Sequence, residues 1–256
     1  MRLDDFVMLG KTIPEPNSDG RVFVCSAGAS PEMRSLVRLY PLARRESPSR
    51  WSRSRVHVER NPRDSRMESF QIAGDRSQEG HDEINGRFDV VGSVARPHRD
   101  SLLASFVGGS IKSLNASRKS LAVIQAVAPP RLHFTDSEQS PDSPQLSLFA
   151  QTETEHRDLG ARRFAYQPRL EFCDEDGWHD LQLRDWGAYE FMRKHGNQRR
   201  HELRHALHLD NNPMMIVGNM NNQRTAWLVI AVLHPLRQDD LFATKVDSLQ
   251  REGEAA

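Results

Sequence analysis

The chain has 256 residues, with 35 basic and 35 acidic side chains, so its formal net charge at neutral pH is zero. That balance excludes a global basic field drawing the protein onto nucleic acid, and two cysteines, Cys25 and Cys173, exclude a disulfide framework or a zinc knuckle. No apolar run reaches membrane-spanning length and the N-terminus lacks a charged-then-apolar leader, so a cytoplasmic protein without membrane contact is expected.

The first part reads as strands. RVFVCSA (21–27) and LVRLY (36–40) are rich in Val, Leu and aromatics, and RVHVE (55–59) alternates with the period of a half-buried strand. Residues 89–94 and LAVIQAV (121–127) read likewise, the latter as a central strand. Between them, 100–114 reads as a short helix followed by a turn at Gly108-Gly109, and Pro129-Pro130 closes the region. A polar, Pro- and Ser-rich run then predicts a flexible linker. Beyond it, FAYQPRLEF (164–172) and 178–183 read as strands, with Asp185 placed to cap the long helical pattern of 186–208, which Asn197 interrupts. Two more strands, 214–218 and AWLVIAVL (226–233), flank a turn. The expected organisation is a first β domain over 1–134, a linker over 135–158, a second β domain with one helix over 159–246 and a disordered tail over 247–256.

Several patterns point to chemistry. The span 34–66 holds ten arginines against three acids, Glu46, Glu59 and Asp64. Arg34, Arg38, Arg44, Arg45, Arg53, Arg63 and Arg66 could line a phosphate-tracking groove in which Tyr40 and Trp51 stack on bases. The competing reading is a surface of arginines paired with carboxylates. Asp64 and Glu68 could instead hold a divalent ion in a nuclease, though nothing else completes that site. HExxH is spelled by His201, Glu202 and His205, with His208 a turn further on, the pattern of a zinc peptidase. The extensions that such enzymes require are missing, and a solvated helix face accounts for the same residues. His179-Asp180 stands beside Trp178 without a nucleophile elbow, so core packing by Trp178 and Trp186 is expected. No cofactor is implied.

In the linker, Gln145-Leu146-Ser147-Leu148-Phe149 places an apolar cluster in a stretch with no local core to join. The pentapeptide resembles the peptide by which bacterial replication and repair proteins attach to the DNA sliding clamp, the β subunit. In that resemblance Gln145 makes the polar contact, and Leu146, Leu148 and Phe149 form the apolar part. The alternative is a short strand covering the chain's own fold. A poorer string, Gln238 to Phe242, has the same two readings.

LVRLYPLARRESPSRW, NPRDSRMESFQI, QLSLF and the run from FAYQPRLEF to TAWLVIAVLHP together resemble an uncharacterised bacterial family of dual OB-domain proteins from mobile and defence-associated gene neighbourhoods. The resemblance implies a mainly β (α+β) fold of two small OB-like barrels, the second with one helical insert. OB barrels commonly bind single-stranded nucleic acid. The expectation is a non-catalytic accessory protein of DNA repair, replication or phage defence, bound to DNA or RNA, preferably single-stranded, and tethered to the clamp. Other proteins of a defence system are further expected partners. A metal-dependent hydrolase and a pure interaction module are the alternatives.

Overall fold

The computed structural model describes residues 1–16, 22–43, 47–75, 83–136 and 166–233. The chain is mainly β, with a closed five-strand barrel in its first part and a second sheet after it. The first sheet contains β1 (Arg2–Lys11), β2 (Glu15–Pro16), β3 (Val22–Ser30), β4 (Ser35–Ala43), β5 (Ser52–Arg60), β6 (Ser69–Ile72) and β7 (Asp89–Ser93). Its order is β1-β3-β4-β6-β5, and β1 pairs again with β5 to close the barrel. All barrel pairings are antiparallel except β4 with β6. Closure removes the edge that an open sheet would present. Strand β5 alternates buried and exposed residues, as its period predicts. Leu3, Phe6, Met8, Leu39, Val58 and Phe70 are among the side chains that fill the interior, and Ile84 and Phe88 join that cluster.

The chain then crosses through α1 (Arg99–Ala104) and α2 (Ile111–Ala116) to β8 (Leu121–Ile124) and β9 (Arg131–Asp136). These two strands, assigned by sequence to the first domain, take their hydrogen bonds in the second sheet. That sheet adds β10 (Tyr166–Asp174), β11 (Gly177–Leu183), β12 (Met214–Asn219) and β13 (Trp227–Leu233) in the order β8-β12-β13-β11-β10-β9. Its two ends, β8 and β9, are consecutive in the chain, separated by the stretch that holds Pro129 and Pro130. Strands β9 and β10 are antiparallel neighbours with Asp136 opposite Tyr166. Residues 137–165 therefore connect the two arms of one hairpin rather than two domains, and both clamp-like strings, 145–149 and 238–242, lie outside the described residues.

The helical insert between β11 and β12 is divided. Helix α3 (Trp186–His195) starts at Asp185, whose carboxylate accepts from the Gly187 and Ala188 amides, and ends at Gly196 with φ 70°. A left-handed φ is one that glycine adopts freely, so the helix stops there. A 3-10 helix (Asn197–Glu202) and α4 (Leu203–Ala206) follow. Leu170, Phe172, Met192, Leu203 and Val229 belong to the second core.

Part of the outer face of the barrel, on β1, β3 and β4, is as dry as its interior. Val7 and Leu9 of β1, Ala27 and Ala29 of β3 and Leu36 of β4 pack against Leu121, Val123, Ile216, Ala231 and Leu233 of the second sheet. The backbones come close: a Cβ built on Gly10 would stand 2.4 Å from the Ala231 Cβ, so only glycine fits there. Among the described residues no helix is long and apolar enough to cross a membrane.

Candidate nucleic-acid interface

The arginines of 34–66 do not form one solvent-facing groove, because several bolt the two sheets together. Arg38 is 4 % exposed and donates 2.8 Å to the Ser120 carbonyl and 3.6 Å to the Cys25 sulfur. Burial is the main effect on its guanidinium and pushes its pKa down. Arg50 reaches the Val232 carbonyl and the buried carboxylate of Asp185, each at 2.8 Å. Arg66 grips Asp64 and donates across the seam to the Asn219 carbonyl. The remaining pairs are at the surface: Arg53 with Asp5 and Arg55 with Asp89. Trp51 is buried, with the Arg99 guanidinium 4.8 Å above its ring, and cannot serve as a stacking platform. Tyr40 is 36 % exposed and Arg34 sits exposed in the β3–β4 turn, while Arg44 and Arg45 lie outside the described residues.

The carboxylates considered for metal are also occupied structurally. Asp64 accepts from the Arg66 amide and guanidinium and, at 2.6 Å, from the Ser69 hydroxyl. Burial by itself would raise its pKa, but these donors outweigh it and hold the carboxyl at about 2. Glu68 receives the Ser120 amide at 3.1 Å and hydroxyl at 2.7 Å. Each carboxylate is thus a link in the seam. The HExxH residues straddle the junction between the 3-10 helix and α4, with His201 and His205 side chains 74 % and 82 % exposed. Glu202 is bound by Arg199 at 2.7 Å, and His208 adopts a left-handed backbone. Among the described residues no three His, Cys, Asp or Glu side chains come together to hold a metal ion.

Docking of the sheets assembles a basic patch from three separated segments. The loop 61–68 that precedes β6 meets the turn before β8 through Glu68 and Ser120. It meets the β12–β13 turn as well: Asn221 donates to the Arg63 carbonyl at 2.9 Å and Arg224 to the Ser65 hydroxyl at 2.6 Å. Arg60, Arg63, Arg118 and Lys119 are exposed around this junction and Arg224 is half-buried. None of these five cations has a carboxylate partner among the described residues, whereas the local acids Asp64 and Glu68 are already held in the seam and Glu59 accepts from Gln71. The result is a local positive excess in a chain of zero net charge. Met67 and Met220 are exposed, 71 % and 38 %, on two of these segments.

Of the expected groove residues, Arg63 faces solvent at this seam, and Arg66 is consumed in holding it. Arg118, Lys119 and Arg224 were not singled out by sequence, because each stands in a short polar turn whose neighbours come from elsewhere in the chain. Trp178 also departs from expectation. It is 66 % exposed on β11, where core packing was expected, because its position on the strand points outward with Asp180 and Gln182. Trp186 does pack, half-buried, against the core of the first barrel.

Residues 3–89 match a family described as a domain of unknown function, DUF8758. That span contains the five strands of the closed barrel except Arg2, the first residue of β1. No curated protein matches the chain.

Proposed function

We propose that this protein is a non-catalytic, nucleic-acid-associated accessory protein of DNA replication, repair or phage defence, built from two OB-like units. It seats the phosphate backbone of DNA or RNA, preferably single-stranded, on the basic seam. It is tethered to the DNA sliding clamp by Gln145, Leu146, Leu148 and Phe149. The observation that carries this reading is the convergence of Arg60, Arg63, Arg118, Lys119 and Arg224 without carboxylate partners. Guanidinium groups with no carboxylate partner suit phosphate, which they can grip bidentately.

The OB-like assignment is supported by strand order. Numbering the barrel strands β1, β3, β4, β5 and β6 as one to five gives the order 1-2-3-5-4-1 with strands three and five parallel, the arrangement of an OB barrel. The second sheet follows the same order if β8 and β9 count as two halves of a first strand. Its parallel pair is β11 with β13, and its helices fall between strands three and four. A patch of five cations is small, so unaided binding is modest and steeply dependent on salt; a clamp tether compensates by raising local concentration.

The test measures binding of a labelled oligothymidylate by anisotropy across a salt series. With about four phosphates neutralised, log K falls with log salt at a slope of about −3 for a single strand. Arg63→Gln with Lys119→Gln lowers affinity at least tenfold and flattens the slope by about 1.4. Unchanged affinity and slope in that folded variant would refute the interface. Binding of the intact protein to a β clamp, abolished by Leu148→Ala with Phe149→Ala, tests the tether separately.

A further inference from the structure

A cleft of about 620 Å³ opens on the first barrel, walled by β1, β5, β7 and α1 and remote in sequence from the segments of the basic seam. Its size falls in the range of small-molecule sites. Val7, Val94 and Leu102 line it with apolar surface, the first buried and the other two half-buried against the inter-sheet core. An ion pair at the surface also lines the cleft. Arg53 donates its Nε to Asp5 Oδ1 at 2.8 Å, and Asp5 raises the guanidinium pKa chiefly by that hydrogen bond. The bond uses one donor of Arg53 and one of the two lone pairs of Asp5 Oδ1, so both carboxylate oxygens can still accept. Four guanidinium N–H groups remain, so a set of donors lies beside an acceptor. Ser101 and Ser105 hydroxyls donate to the His98 and Leu102 carbonyls and keep their oxygens as acceptors. The connection 94–106 along the rim carries Arg96 next to the cleft-lining Ala95 and His98, while Arg99 lies over the Trp51 ring and donates to the Val94 carbonyl.

An apolar wall, a donor set beside an acceptor and a cationic rim select an anionic ligand with a flat ring whose edge alternates acceptor and donors. Guanine has that edge: O6 accepts, while N1–H and the N2 amino group donate, and a carboxylate takes both donors at once. Adenine offers a carboxylate only its amino group. We propose that this cleft binds a free guanine mononucleotide, with the ring against Val94 and Leu102, Asp5 on N1–H and N2, Arg53 on O6, and the phosphate toward Arg96 and His98. This site is independent of the basic seam and of the proposed nucleic-acid role.

Calorimetric titration of the full chain with GMP, AMP, guanosine and ribose 5-phosphate tests it. GMP binds at least tenfold more tightly than AMP, the discrimination expected of a bidentate contact to a base edge, and more tightly than guanosine or ribose 5-phosphate. Asp5→Asn removes the preference for GMP over AMP. Arg96→Gln brings GMP down toward guanosine. Ser105→Trp, a change at an exposed position on the rim, fills the cleft and abolishes binding while the unfolding midpoint holds. Saturation of the protein with a guanine-free oligothymidylate leaves GMP affinity unchanged. Equal affinities for GMP and AMP, undiminished GMP binding in Ser105→Trp, or displacement of GMP by the oligothymidylate would each overturn the proposal. Loss of oligothymidylate binding alone would count against the seam and leave this site standing.

Discussion

Asp64 makes the seam acid-labile, and the size of the effect follows from its contacts. Its carboxyl, ordinarily near 3.8, is held at about 2 by Arg66 and Ser69, and its side chain is 4 % exposed. The unfolded chain therefore binds a proton more readily than the folded one. The stabilisation is fully present above pH 4 and is lost as pH falls through 2. At 1.36 kcal/mol per pKa unit, the contribution at neutral pH is about 2 kcal/mol. Protonation loosens Arg66 as well, and Arg66 is the donor that reaches the Asn219 carbonyl across the seam. Asp64→Asn removes the charge at every pH. Urea denaturation of wild type and variant between pH 7 and pH 2 measures both limbs. The variant is less stable by about 2 kcal/mol at pH 7, and the gap closes toward zero at pH 2, which separates Asp64 from the other carboxylates that titrate in acid. A constant gap across that range, or none at pH 7, refutes the assignment of Asp64 as an ionic link in the fold.

Asp185, 1 % exposed, caps α3 and also accepts from Arg50 and the Val232 amide. Asp185→Ala loses a cap worth about 1 kcal/mol and orphans buried donors at about 1–3 kcal/mol, so a loss near 3 kcal/mol is expected in urea titration, with Asp185→Asn retaining the cap. Gly10→Ala forces a methyl into Ala231 across the seam and costs about 1–3 kcal/mol, read as a lower melting temperature. Trp178→Ala changes stability by less than about 0.5 kcal/mol. Trp227→Ala, which empties a buried site and removes the bond to Asn115, costs about 3–5 kcal/mol by the same assay.

The local elements were legible where one period dominates. RVHVE alternates and became the alternating part of β5, and AWLVIAVL became β13, continuous in hydrophobicity because both its faces are covered. The break in the long helix was readable at Asn197, as was the cap at Asp185, while the stop at Gly196 was not. Strand β1 was not seen, since RLDDFVMLGK opens with charges and closes with an apolar run, blurring the alternation. The short β6 and β9 carry no clear period of their own in the sequence. The arginine-rich span was visible as composition, but its division into bolts and surface cations was not. Nothing near Arg38 or Arg66 in the sequence announces Ser120 or Asn219, which are its partners from far along the chain.

Side-chain periodicity and turn chemistry are local, so the sequence by itself determined that this is a β-rich chain with one interrupted helix, low in net charge, with Asp185 opening the helix. Pairing is not local. Which strands neighbour which, that β8 and β9 join the later sheet, and that residues 137–165 span a hairpin were decided by tertiary structure. The same holds for charge: Arg60 and Arg63, Arg118 and Lys119, and Arg224 stand in three separate segments until two dry sheet faces pack and bring their turns together. A positive patch then appears on a protein whose total charge is zero, because charge sums over the chain whereas potential depends on what lies within a Debye length.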